Sequence, residues 1–150
     1  MSVNELSPQQ KVIANIQTSV TFMLGKGARA TMREAGKAAS RDLWPELPSG
    51  VSFEEAARIM HEGVKSLDGF GEFNLRCQRE DGVYEIEFKN CAFAQFTTSS
   101  GQPCGEQAIC FFGFGLVEET MRRLLGQRVQ VQLIERDESN CVCRETATPR

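Results

Sequence analysis

Four residues of this chain have side chains that could together hold a metal ion: Cys110, Glu135, Cys141 and Cys143. Zinc accepts thiolate and carboxylate ligands in a tetrahedral site. The four can converge only if a helix carrying Cys110 packs on a hairpin carrying the other three. The spacing of the last pair works against this. On a regular strand Cys141 and Cys143 point to one side about 7 Å apart, whereas a zinc–sulfur bond is ~2.3 Å. A bend is therefore required, and the turn-forming stretch Asp137–Asn140 can supply it. The competing reading places both thiols in the core, as small hydrophobes beneath the helix.

Other chemistry is poorly provided for. A nucleophilic cysteine needs a base within hydrogen-bond reach, and the single histidine, His61, lies on a different helix from every cysteine. There is no Gly-rich phosphate loop with its lysine and no G-x-S-x-G elbow. The C-x-C at 141–143 is not the C-x-x-C of a redox motif. No catalytic residue is assigned, and an enzyme is the weaker reading. Binding is better served. Ten Phe, one Trp and one Tyr are present, and Trp44, Phe70, Phe93, Phe111, Phe112 and Phe114 fall near the expected helix–sheet seam. Ligand pockets are concave and mostly apolar. Any one phenylalanine is as well explained as plain core.

The stretch that positions most of these groups is 101–126, GQPCGEQAICFFGFGLVEETMRRLLG. It opens as a turn, becomes an apolar helix carrying Cys110 and ends at Gly126, a suitable C-cap. Gly113 and Gly115 interrupt its aromatic run, where a ligand or a neighbouring element can approach the backbone. Glu118 and Glu119 against Arg122 and Arg123 predict exposed i,i+4 pairs.

Before it, Ser7-Pro8 starts a helix over 7–24, with Val12, Ile13, Ile16, Val20 and Met23 at helical spacing. Gly25 and Gly27 interrupt the pattern, which resumes through Ala28, Met32, Ala35, Ala39 and Leu43; one kinked helix or two both fit. The small residues here allow another helix to come close, within the chain or between subunits. A capping box, Ser52 with Glu55, opens a helix over 53–67. Phe73, Leu75 and Cys77 alternate with polar residues as a half-buried strand does. Asp81-Gly82, read as a two-residue hairpin, sets Cys77 opposite Ile86, Leu75 opposite Phe88 and Arg76 opposite Glu87. Thr97–Gly101 reads as a polar loop. Strands follow at 129–133 and 141–144. The order α-α-α-β-β-α-β-β makes an α/β (α+β) domain: about four helices on one face of a largely antiparallel four-stranded sheet.

With 150 residues the chain is most simply one domain, 1–150. A net charge of -3 without a basic run argues against nucleic acid. No apolar stretch approaches the ~18 residues of a membrane span, and the N-terminus lacks the features of a signal peptide. These imply a cytoplasmic protein.

From about residue 28 to 145 the chain resembles the 4-vinyl reductase domain family, the predicted hydrocarbon-binding proteins. The matching pieces are MREAGKAASRDL, VSFEEAARIMHEGVKSLDGFGEFNL, EDGVYEIEFKNCAFA, the GQPC turn and CFFGFGLVEETMRRLLGQRVQVQLIE with its cysteine-bearing tail. The resemblance implies a fold shared with vesicle-tethering TRAPP subunits and haem-type nitric-oxide sensor domains. It implies a homodimer and an enclosed apolar pocket for a small hydrophobic or aromatic ligand. In phenol-sensing members a zinc is held by a helix cysteine, a glutamate and two hairpin cysteines, here Cys110, Glu135, Cys141 and Cys143. The tail cysteines are closer together than in the family, and Cys104 competes with Cys110 for the helix position. The expected function is a stand-alone sensor or carrier domain that signals to a separate effector protein. The alternatives are a TRAPP-like structural adaptor and an accessory protein of tetrapyrrole (bacteriochlorophyll) metabolism.

Overall fold

A computed structural model describes residues 6–93 and 106–150. The expected loop at Thr97–Gly101 and the GQPC turn with Cys104 lie outside these residues. Helix α1 spans Pro8–Leu24 and opens on a full capping box: Ser7 Oγ accepts from the Gln10 N–H, and Gln10 Oε1 accepts from the Ser7 N–H. Gly25, at φ +54°, ends it, and α2 restarts at Gly27 and runs to Leu43, so the segment is two helices. Helix α3 covers Phe53–Lys65, capped by Ser52. Strands β1 (Glu72–Gln78) and β2 (Tyr84–Lys89) follow, then α4 (Ala108–Leu125), β3 (Val129–Asp137) and β4 (Val142–Pro149).

The sheet is antiparallel throughout, in the order β1-β2-β4-β3. Its inner face carries Phe73, Leu75, Tyr84, Ile86, Phe88, Val131, Cys143 and Ala147, all buried. Helices α3 and α4 lie on that face, and α2 packs along α4 in the most extensive helix–helix contact. Among the described residues the result is an α+β fold of four helices over a four-stranded sheet.

Two sequence expectations need correction here. The β1–β2 hairpin does not turn on two residues. Arg79 and Val83 close a three-residue loop, Glu80-Asp81-Gly82, with Gly82 at φ +86°. This is the common alternative for a glycine-bearing hairpin, a turn followed by a left-handed residue. A second irregularity falls between Leu75 and Cys77, so Leu75 pairs with Ile86, Phe73 with Phe88 and Cys77 with Glu85. Cys77 is exposed, and Arg76 meets Glu87 only diagonally, at 4.0 Å.

Second, Glu118 and Glu119 are buried, not solvated. Glu118 accepts from the Val131 N–H at 2.9 Å and pairs with Arg33 at 3.5 Å. Glu119 pairs with Arg122 and Arg41. Arg123 donates to the carbonyls of Ser40 and Trp44. Because α2 covers this side of α4, the charges serve packing contacts in place of a solvated face.

The apolar stripe of α1, whose facing the spacing leaves open, points outward. Val12, Ile16, Phe22 and Met23 are 59, 55, 89 and 79% exposed. The buried residue of α1 is Gln17. Its Oε1 accepts from the Ile109 N–H at 2.8 Å and its Nε2 donates to Gln107 Oε1 at 3.0 Å. Gln17 thereby satisfies one of the free N–H groups that begin every helix, where α4 has no side-chain cap of its own.

Candidate functional site: an apolar cavity at the helix–sheet seam

Between α4, α3 and the inner sheet face lies a cavity of about 50 Å³. Met60 and Val64 of α3, Phe73 and Phe88 of the sheet, and Gly113 and Phe114 of α4 are among its walls. Its position follows from the local chemistry. The Ser52 cap aims α3 so that Met60 and Val64 face β1. Gly115 lets α2 press on the far side of α4, since a Cβ there would overlap the Arg33 carbonyl oxygen. Gly113 faces open space, with nothing within 4 Å of where its Cβ would lie. One glycine thus admits a helix and the other leaves room.

The six aromatic residues proposed from sequence divide. Trp44, Phe70, Phe93 and Phe114 line the cavity. Phe70 and Phe93 meet edge-on with centroids 5.4 Å apart. Phe111 and Phe112 are not among the described lining residues. Phe111 turns toward α2 beneath the guanidinium groups of Arg29 and Arg33, each 5.2 Å from its centroid. Phe112 packs edge-on to Phe93 at 6.1 Å, behind the cavity wall.

The sequence reading missed Phe73, Phe88, Met60 and Glu145 as lining residues. Phe73 and Phe88 lay on strand patterns already recognised. Glu145 was hidden because β4 was expected to stop at 144, whereas it runs to Pro149. On the longer strand Cys143, Glu145 and Ala147 alternate onto the inner face. Burial pushes the Glu145 carboxyl up to about 8, with the neighbouring Cys143 thiol adding to the effect.

The candidate metal ligands are also separated. Cys110 and Cys143 are buried and both line the cavity. A register shift between Leu133 and Glu135 turns Glu135 to the outer face, where it pairs with Arg144 at 2.7 Å. Cys141, at φ +55° in the β3–β4 turn, does approach Cys143, but both thiols meet the guanidinium of Arg136, at 3.8 and 2.8 Å. A cation already stands where the two sulfurs converge. No three His, Cys, Asp or Glu side chains gather into a metal-holding group among the described residues. As placed, these donors do not fit a zinc site. His61 makes a structural contact, its Nδ1 lying 2.9 Å from the Phe73 carbonyl oxygen.

Neither a protein-family model nor a curated protein matches the sequence. Solved structures do match the fold. One is a trafficking protein particle complex subunit 3 from Naegleria fowleri, covalently bound to palmitic acid. It is 11% identical with a TM-score of 0.59, over 93% of each chain. Another is the phenol-responsive sensory domain of the transcription activator PoxR, solved with phenol. It is 14% identical with a TM-score of 0.58, over 92% of this chain and 73% of that one. At such identities the likeness establishes the fold alone: this is a TRAPP-like α+β domain, of the architecture that also serves a sensory domain. No described helix is long and apolar enough to cross a membrane.

Proposed function

We propose that the chain is a small-molecule-binding module whose central cavity takes a hydrophobic ligand and reports it to a separate effector protein. The observation that carries this reading is the cavity itself, apolar on nearly all sides and set between the main helix and the sheet. Two neighbours of the fold hold hydrophobic molecules, palmitic acid in one and phenol in the other. The size sets a limit. An engineered cavity of about 150 Å³ holds benzene, so the present space suits a short aliphatic body. A ring enters only if an aromatic wall residue such as Phe70 turns aside. A tetrapyrrole is far too large for this space.

Gly113 supplies the test. Gly113→Leu places a side chain in the open space without touching the Gly115 crossing. The variant should stay folded and lose ligand-induced thermal stabilisation across a panel of small apolar compounds. Equal stabilisation of wild type and variant would refute the reading.

A second reading, a homodimeric or partner-docking scaffold, is favoured by the exposed apolar residues of α1. Isolated apolar residues on a surface are ordinary, but a contiguous patch marks an interaction site.

A further inference from the structure

Among the described lining residues two side chains carry oxygen atoms, Thr120 and Glu145. The Thr120 hydroxyl is committed: it donates to the Leu116 carbonyl at 2.7 Å and lies 2.8 Å from Ser40 Oγ. Glu145 makes no hydrogen bond and no ion pair with any described residue. No Lys, Arg or His is among the described lining residues. Arg136 is nearby in the fold, but its guanidinium is engaged with the Cys141 and Cys143 sulfurs.

A half-buried carboxyl that makes no hydrogen bond with a described residue is unmatched. Each ligand class meets it differently. An anion such as a free fatty acid finds no Lys, Arg or His among the described lining residues to receive its charge. A plain hydrocarbon leaves the carboxyl unsatisfied. An ammonium supplies the missing charge and donates up to three hydrogen bonds. The walls favour it too, because aromatic rings such as Phe70, Phe73, Phe93 and Trp44 attract a desolvated organic cation through the negative potential of their faces.

We infer that the cavity selects a short hydrophobic amine, its ammonium on Glu145 and its alkyl body among the aromatic walls. This rests on the ligand-binding reading above and narrows it to one class of ligand. It gives Glu145 a specificity role that the fold does not otherwise require.

The test compares isobutylamine, isobutanol and isobutyrate, which share a body and differ in the head, with xenon as a probe that has no head. Binding is followed by NMR titration of the Phe93 and Phe114 signals in wild type, Glu145→Gln, Glu145→Asp and the surface control Glu85→Gln. The amine should bind about tenfold tighter than the alcohol in wild type, the scale of a charge-assisted hydrogen bond, and isobutyrate should not bind. Glu145→Gln should erase the amine's advantage over the alcohol. Glu145→Asp should keep part of it, and Glu85→Gln all of it. Equal binding of amine and alcohol, or an advantage that survives Glu145→Gln, would overturn the inference. Xenon moving these signals while the amine does not would overturn it and leave the cavity reading intact. If no probe moves them, both fail.

Discussion

Glu145 gives the protein a pH dependence whose sign is fixed by burial. Its carboxyl ionises near pH 8 in the folded chain and near 4.5 in its absence, so between these values the folded state binds more protons than the unfolded one. Stability must then fall as pH rises through that window. The melting temperature should be several degrees lower at pH 9 than at pH 6.5, at about 2–4 °C for each kcal/mol in a domain of this size. Glu145→Gln should flatten the profile, which differential scanning calorimetry would show. Gln17 makes the opposite kind of contribution, a polar group fully matched in the interior. Gln17→Leu leaves the Ile109 N–H and the Gln107 side chain without this partner. It should cost about 1–3 kcal/mol in urea unfolding, although it adds an apolar residue to an apolar-looking helix.

At the scale of elements, the crossing of α2 and α4 depends on two glycines that face each other's backbones. A Cβ on Gly36 would lie 2.7 Å from the Leu116 nitrogen, and one on Gly115 would meet the Arg33 carbonyl. Neither obstacle is a side chain that can swing away. Gly115→Ala should therefore destabilise by about 3 kcal/mol. Gly113→Ala, two residues earlier and on the opposite side of α4, should be neutral or gain up to about 1 kcal/mol from helix propensity. The pair is best measured side by side by chemical denaturation. The sequence marked both glycines as points of close approach but did not distinguish them, because the distinction lies in what packs opposite.

The same logic separates what was readable from what was not. The caps at Ser7 and Ser52, the stop at Gly126 and the element order are written in local chemistry, and they hold. The hairpin register depends on the turn taking three residues and on an irregularity within β1, and the facing of Glu135 on one within β3; neither strand irregularity carries a local signature. The α1 stripe shows that a helix is amphipathic, not which side its neighbours occupy. Glu145 was within reach. Thr146 and Thr148 are strand formers, and extending β4 through them would have placed its carboxyl beside Cys143 on the inner face.

For the whole molecule, the exposed face of α1 predicts self-association. Sedimentation velocity should show a concentration-dependent dimer. Phe22→Glu, at a residue 89% exposed and therefore dispensable to the fold, should shift it to monomer without lowering the melting temperature. Monomer at every concentration in wild type would remove the scaffold reading and leave the cavity as the working part.

The contact between α4 and the outer strand bears on how such an assembly can grow. β3 is an edge of the sheet, and an open edge invites a strand from another chain. Here both main-chain groups of Val131 are already occupied, its N–H by Glu118 and its carbonyl by Arg33 at 3.2 Å. At Val131, near the start of β3, the strand offers an incoming chain no free main-chain group. An incoming strand therefore meets an occupied position at Val131, and this stretch of the β3 edge is closed to sheet extension by another copy.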